Sequence, residues 1–292
     1  MIDCHMHVGR LYQFELKPLT PAYLLKLMDA HGIEQAALLP IESPEETDFY
    51  VTTEEVLRIC RRHPDRFIPF CNVDPRRRNA DLSTDFYAIL KEYRDRGCRG
   101  FGEAMSGLWV DDPRLQKIYE SCGALGLPII FHMDHLRNMD EKGLPRSESM
   151  IRQFPQTIFI GHGQHFWAEI SAEVRETDFG RYPEGRVIRP GAVERLLSTY
   201  PNAYADLSAG SAWNAITRDP NYGAWFLTEF QDKLLFGTDI CRYNQELPMI
   251  AHLKSGVLSP EAYDKIVRAN AMQILYQETR KTGEGTRVTG NE

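Results

Sequence analysis

The triplet His5-Met6-His7 ends the first apolar run of the chain, Met1-Ile2-Asp3-Cys4. If that run is a strand, its side chains alternate, so two His at i and i+2 point the same way. Two imidazoles on one side can reach one cation, and neutral imidazole is a common ligand for Zn and its neighbours in the transition series. One such pair is a weak signal in a chain with nine His. It gains weight from further ligand types that stand where other apolar runs stop: Glu103, His132, His162, Asp206 and Asp239.

Those ends need an architecture that gathers them. Apolar runs at 35–40, 67–73, 99–103, 127–132, 157–161, 203–207 and 234–237 read as seven more short strands. Between them lie helical stretches. The first opens at Thr20-Pro21, with Thr as N-cap and Pro in the first turn, and stops at Gly32. Others are expected at 55–62, 82–96, 112–125, 147–154, 190–200, 222–230, 245–253 and 260–276. In 82–96, Leu82, Phe86, Ile89, Leu90 and Tyr93 follow the helical period. Strand–helix alternation implies a parallel sheet with crossover helices. Eight units closing on themselves make a (β/α)8 TIM barrel of about 250 residues. The rival is a doubly wound open sheet, which usually has fewer strands, and no G-x-G-x-x-G follows the first run. In a parallel barrel the strand C-termini share one face, where active sites are built, so the candidate ligands converge on one mouth.

The bulk properties agree with an enzyme of this kind. The chain has 292 residues, 42% hydrophobic and 26% charged, an ordinary make-up for a soluble protein. One barrel domain over 1–276 is expected, followed by a polar tail at 277–292. No apolar run approaches the ~20 residues needed to span a bilayer. No basic n-region or apolar h-region precedes the His pair, so no signal peptide is expected. Six Cys are scattered without a C-x-x-C pair, which fits a reduced, cytoplasmic protein. A net charge of −7 with dispersed basic residues argues against a nucleic-acid partner. The expected partner is a small-molecule substrate, with a homodimer as a further expectation and no membrane.

At this point the chain resembles the amidohydrolase superfamily, and within it the amidohydrolase-2 group that includes aminocarboxymuconate-semialdehyde decarboxylase and the resorcylate-type decarboxylases. The resemblance spans nearly the whole chain. It rests on His5-x-His7 after run one, His132 after run five, Gly161-His162-Gly163 after run six, and Phe236-Gly237-Thr238-Asp239 after run eight. It implies a divalent metal in a barrel mouth, held by His5, His7, His132 and Asp239, with His162 as acid/base or second-metal ligand. Two positions depart from the group. Its decarboxylases tend to carry a Pro shortly after H-x-H, where Val8-Gly9-Arg10 stands here. Binuclear members of the superfamily often place a carboxylated Lys after strand four, where Glu103 stands, an arrangement similar to TatD-type hydrolases.

Each candidate has a plainer alternative. Asp239 could cap a following helix instead of binding metal and taking a proton from water. Glu103 could pair with Arg99 or another strand-end Arg, and His132 could be a hydrogen-bonded core residue. Asp206 could orient a ligand His or pair with an Arg. His135 and His165 are expected at the rim or just behind the ligands, and His31, His63 and His252 as structural residues in helices. Two loops, 133–146 and 163–189, read as lids over the mouth, the second carrying Trp167, Phe179 and Tyr182. Arg10, Arg137, Arg186 and Arg218 are candidates to grip a substrate carboxylate through a bidentate fork, or else are solvated surface residues.

The preferred expectation is a metal-dependent hydrolase in which Asp239 and His162 are catalytic, and His5, His7, Glu103, His132 and Asp239 hold metal. Arg10, Arg137 and Arg218 would bind a small carboxylated ester, lactone or amide. Zn2+ leads as the metal, with Mn2+ as the alternative, and a second site would require Glu103 to bridge. A non-oxidative decarboxylase is the second expectation, and a catalytically inactive metal-binding protein on the same fold the third.

Overall fold

A computed structural model describes residues 1–10, 17–45, 50–78 and 82–276. The expected tail at 277–292, and Tyr12 with half of the loop after His7, lie outside the described residues. Eight parallel strands appear in chain order: β1 (Ile2–Met6), β2 (Gln35–Leu38), β3 (Phe67–Pro69), β4 (Phe101–Ala104), β5 (Ile129–His132), β6 (Phe159–His162), β7 (Ala203–Asp206) and β8 (Leu234–Leu235). They form two hydrogen-bonded runs, β1–β3 and β4–β8. A parallel bridge between Cys71 and Phe101 joins the runs at one seam, and one between Met6 and Ile240 joins them at the other. At that second seam Cys4 N donates to Phe236 O at 2.9 Å and Asp239 N to His5 O at 2.8 Å. This is the (β/α)8 barrel.

The helices are α1 (Pro21–His31), α2 (Thr53–Arg62), α3 (Phe86–Asp95), α4 (Pro113–Leu125), α5 (Pro145–Gln153), α6 (Gln164–Ala168), α7 (Ala192–Thr199), α8 (Ala209–Thr217), α9 (Pro220–Glu229), α10 (Pro248–Lys254), α11 (Pro260–Asp264) and α12 (Asn270–Leu275). Local sequence sets most of their ends. Thr20 Oγ1 accepts from Tyr23 N at the start of α1, and Thr52 with Glu55 closes a capping box on α2. The stretch 82–96 begins later than its periodicity suggests. Asp85 accepts from Ala88 N and caps α3, leaving Leu82 outside the helix and half exposed. Helix α8 is absent from the sequence reading; the face it buries is Ser211, Ala212, Ala215 and Ile216, mostly small residues.

Two apolar layers hold the barrel. Ile2, Cys4, Ala37, Leu39, Ile68, Phe70, Ile130, Ile160 and Leu235 cluster with Ala271, Ile274 and Leu275, so α12 packs against the strands' inner residues. Burying side chains of the Ile274 and Leu275 type contributes about 1.5–3 kcal/mol each. The neighbouring strand residues, such as Leu38, Phe67, Ile129, Phe131 and Phe159, join the larger cluster with the helices.

Two strands break the period-2 pattern. In β1, Asp3 pairs with Ala36 and Met6 with Leu38, so Cys4 and His5 together face Ala37. In β4, Phe101 pairs with Ile129 and Ala104 with Phe131, so Gly102 and Glu103 together face Ile130. Each is a bulge, a device that re-aims side chains at a site.

Candidate metal centre

The bulges bring His5, His7 and Glu103 to the open end of the barrel. His5 is fully buried and donates from Nδ1 to Asp206 Oδ2 at 2.6 Å. The His7 Nδ1 lies 3.3 Å from Leu39 O. With both Nδ1 atoms donating outward, the neutral rings would turn two bare Nε2 lone pairs on each other at 3.1 Å. Two lone pairs at that distance repel unless positive charge lies between them. Tetrahedral zinc with Zn–N of about 2.0–2.1 Å sets its nitrogen ligands about 3.3 Å apart, close to the observed gap.

Glu103 spans the cluster. Its Oε2 stands 3.4 Å from His5 Nε2 and 3.2 Å from His7 Nε2. Its Oε1 stands 2.9 Å from His132 Nδ1 and 3.6 Å from His162 Nε2. No Arg pairs with Glu103 among the described residues. Asp239 faces it, with Oδ1 at 3.2 Å from His7 Nε2 and Oδ2 at 3.7 Å from His162 Nε2. The next helix, α10, begins at Pro248 with Leu247 at its N-cap, so Asp239 is not a helix cap. Its backbone sits in the left-handed region, φ 48°, held there by its N–H on His5 O and by Gln245 Nε2 on its own carbonyl.

A second ring of groups fixes the first. Asp206 accepts from His5 Nδ1 and from Ser208 Oγ at 2.7 Å, and lies 3.2 Å from His162 Nδ1. It therefore orients two imidazoles, the first of the two expectations for it. His132 Nε2 contacts Asp134 Oδ2 at 3.2 Å, and Arg137 Nη1 donates to the same oxygen at 2.6 Å. Asp3 escaped the sequence reading, although it stands two residues before His5. Its Oδ1 accepts from His5 N and Thr238 N at 3.0 Å each, and its Oδ2 from Thr238 Oγ1 at 2.6 Å, so it staples β1 to the end of β8. Burial, only partly offset by the Thr238 hydrogen bonds, lifts its carboxyl to about 7.

The electrostatics call for cationic charge. Burial opposes a charged imidazole, yet Glu103, Asp239 and Asp206 raise His5 well above its ordinary value. Against the same burial, Asp239 and Glu103 bring His7 to about 9, and Asp134 and Glu103 bring His132 to about 10. Burial alone would lift Glu103 and Asp239, but the surrounding imidazoles, His5 foremost, hold both well below the usual carboxylate range. Protons satisfy this demand in the protein alone, and a divalent cation satisfies it with the same donors. Four imidazoles and two carboxylates form a donor set that suits a borderline cation.

The centre lies in the wall of a cavity of about 480 Å³. Met105, Leu207, Trp213 and Met249 give it apolar surface, and Arg137 and Arg242 give it positive charge. That size suits a small molecule. Of the Arg expected to bind substrate, Arg137 lines this cavity. Arg10 is exposed and lines a separate groove with Tyr50 and Glu55. Arg218 lies outside the cavity lining, donating from Nη1 to Pro183 O and Asn214 Oδ1 at 3.3 Å each, and Arg186 is exposed. Arg242 was missed, although it follows Asp239 by three residues.

The two loops differ from simple lids. Asn138 Nδ2 donates to Ala104 O and His132 O, which fastens 133–146 to the ends of β4 and β5. In 163–189, Trp167 is buried and donates from Nε1 to Asp206 O at 3.1 Å, so it belongs to the wall. Tyr182 does stand at the cavity, and the missing Cβ of Gly210 gives its hydroxyl room. His165 is fully buried and stacks on Phe179 with ring centroids 3.5 Å apart, which places it in the interior of the loop and not at the rim.

Comparison with known proteins follows the same lines. The model of a family described as Amidohydrolase matches residues 2–276. No curated protein sequence matches the chain. Among solved structures, the chain is similar to an uncharacterized TIM-barrel protein from Bordetella bronchiseptica, at 17% identity and TM-score 0.67 over 94% of this chain and 98% of that one. It is similar to a probable 2-pyrone-4,6-dicarboxylic acid hydrolase from Acinetobacter baumannii, at 15% identity and TM-score 0.59 over 94% and 99%. A 2,6-dihydroxybenzoate decarboxylase from Rhizobium matches at 16% identity and TM-score 0.56 over 94% and 97%. No helix among the described residues is long and apolar enough to cross a membrane.

Proposed function

The chain belongs to the amidohydrolase family, whose members are enzymes, and from that premise we propose that it is a metal-dependent hydrolase of a small carboxylated ester, lactone or amide. The observation that carries this reading is Glu103, whose two oxygens are divided between the His5/His7 pair and the His132/His162 pair. A carboxylate so placed can bridge two cations, and paired cations favour hydrolysis. His5, His7, Asp239 and Glu103 would hold one cation, Zn2+ first and Mn2+ as the alternative. Glu103 with His132 and His162 would hold the second. A bound divalent cation polarises a carbonyl and brings the pKa of water to near 7.

The rest of the work falls to the chain's own groups. Asp239 stays ionised, so it can accept a proton at a carboxylate oxygen. With both cations bound, His162 would be a ligand and Asp239 would itself return the proton to the leaving group; with only the first bound, His162 Nε2, 3.7 Å from Asp239 Oδ2, would be free to pass it on. Asp206 and Ser208 keep the His162 ring turned for that transfer. Arg137, braced by Asp134, faces the cavity where a substrate carboxylate would lie.

A decarboxylase is the second reading, favoured by likeness to a 2,6-dihydroxybenzoate decarboxylase, with His162 then supplying the replacing proton. Anomalous diffraction at the metal edge, paired with assays of lactones, esters and aromatic 2-hydroxy acids, separates the two. Two peaks flanking Glu103 with ring or ester opening are expected. A single peak with CO2 release would replace the hydrolase by the lyase. An intact metal site with no turnover across the panel would leave a binding protein.

A further inference from the structure

We propose that Cys241 is a sulfur donor to the cation that His7 and Asp239 hold, so that the outer side of the centre is a nitrogen–oxygen–sulfur site selecting Zn2+ or Cd2+ over Mn2+. The inference rests on the metal-centre reading above and adds a ligand to it.

Cys4, Cys60, Cys71, Cys98 and Cys122 are buried in the walls, and Cys241 is the one Cys that lines the cavity among the described residues. Its position is fixed. The left-handed turn at Asp239 brings the chain back toward the metal-ligand cluster. Gln245 then clamps the turn from both sides, accepting from Cys241 N at 2.9 Å and donating to Asp239 O at 2.8 Å. The thiol lies 3.3 Å from Asp239 Oδ1, and donor atoms of His7, Asp239 and Cys241 all fall within 4.8 Å of one another.

His7, 2% exposed, brings its Nε2 into the same space, 3.2 Å from both Glu103 Oε2 and Asp239 Oδ1, so nitrogen, oxygen and sulfur donors meet there. Donor spacing also agrees. Zinc with bonds of about 2.3 Å to sulfur and about 2.1 Å to oxygen sets those two atoms about 3.6 Å apart, and nitrogen and oxygen about 3.4 Å apart. The observed separations are 3.3 and 3.2 Å, and the sulfur and the His7 nitrogen lie within 4.8 Å of each other. On binding, the S–H bond breaks, a sulfur–metal bond forms, and one proton leaves to solvent. Thiolate is a soft ligand and favours Zn2+ over the harder Mn2+.

The test uses Cd2+ as the probe. The full-length chain is stripped of metal and titrated with Cd2+, and the ultraviolet thiolate-to-cadmium charge-transfer absorption is read beside bound metal by elemental analysis. Wild type should show the absorption in proportion to bound Cd2+. Cys241→Ser and Cys241→Ala should still bind Cd2+ but lose it. Their Zn2+ affinity should fall roughly tenfold or more, while Mn2+ affinity changes by less than about threefold. Stoichiometric Cd2+ binding without the absorption, or absorption that persists in both variants, overturns the sulfur ligand and leaves the metal centre standing. A wild-type protein that takes up neither Cd2+ nor Zn2+ overturns the metal-centre reading itself, and this inference with it.

Discussion

Strands β5 and β6 run past each other in unbroken register, from Ile129 opposite Phe159 to His132 opposite His162. Strands β1 and β4 each slip by one residue against their neighbours, at Cys4-His5 and at Gly102-Glu103. Both halves deliver ligands to one cluster by different means. In the regular half, period-2 alternation aims the two imidazoles. In the irregular half, the backbone departs from the ladder. That irregular half supplies His5, His7 and the carboxylate that reaches all four imidazoles. Backbone irregularity at a site is held in place by its surroundings, and here Asp3, Thr238 and the close contact of Gly102 with β5 do the holding.

The largest effect should come from removing the piece that the irregular half exists to place. Glu103→Ala takes away the carboxylate shared by both His pairs and leaves four imidazoles, three of them buried, facing one another. Metal content should fall below one per chain. Turnover should drop by roughly three orders of magnitude or more, since water is left near a pKa of about 15.7 in place of about 7. Elemental analysis with kcat measurement checks this. A variant that keeps its metal and a tenth of its activity would mean Glu103 merely balances charge.

The backbone claim can be broken separately. A Cβ on Gly102 would lie 2.4 Å from Ile130 O, and its φ of 134° is strained for any L side chain. A Cβ on Gly161, in the regular half, would also meet close atoms, but they belong to the side chain of Phe166 and not to backbone, and no positive φ is involved. Gly102→Ala should therefore cost about 2–5 kcal/mol from overpacking and strain together. Gly161→Ala should cost less, about 1–3 kcal/mol, from overpacking alone. Thermal or urea unfolding decides, and equal costs would remove the distinction between the halves.

This contrast also explains what the sequence told and what it withheld. Eight apolar runs alternating with helices were legible because burial imposes its pattern over many residues. His132, His162 and Asp239 were legible because they stand at the ends of such runs. The bulges were not, since an extra residue in a strand of four or five leaves no periodic trace. Asp3 was not, because a lone acid inside an apolar run does not announce the backbone amides it will accept from. The substrate Arg were hardest. Arg10 and Arg242 both follow a ligand by three residues, and only loop geometry sends one to a separate groove and the other to the cavity.

A smaller effect tests how the two halves are tied. Asp206 accepts from His5 of the irregular half and stands beside His162 of the regular one. Asp206→Asn keeps the shape but can present an N–H to an imidazole N–H, upsetting the tautomer of His5. Loss of such an outer partner commonly lowers metal affinity 10–100-fold, and about that range is expected here. Competition with a chelator measures it. Unchanged affinity would mean the β1 bulge alone orients His5.

An effect no larger than this concerns substrate. Arg137 is tied to the regular half, because Asp134 accepts from Arg137 Nη1 and also contacts His132 Nε2. It lines the cavity, whereas Arg10 and Arg218 do not. A hydrogen bond to a charged group is worth about 1.5–3 kcal/mol, so Arg137→Ala should raise KM for a carboxylated substrate by roughly 10- to 100-fold. If the Arg137–Asp134 pair also steadies His132, kcat should fall too, and Arg137→Lys should recover the kcat loss more fully than the KM loss, since Lys cannot reproduce the planar fork. Arg10→Ala and Arg218→Ala should leave KM within about twofold, as surface or loop-anchoring residues do when they touch no substrate. Steady-state kinetics on one confirmed substrate reads all four variants. A KM that rises with Arg10→Ala and not with Arg137→Ala would move substrate recognition to the groove beside Tyr50, and would separate binding from the half of the barrel that holds His132.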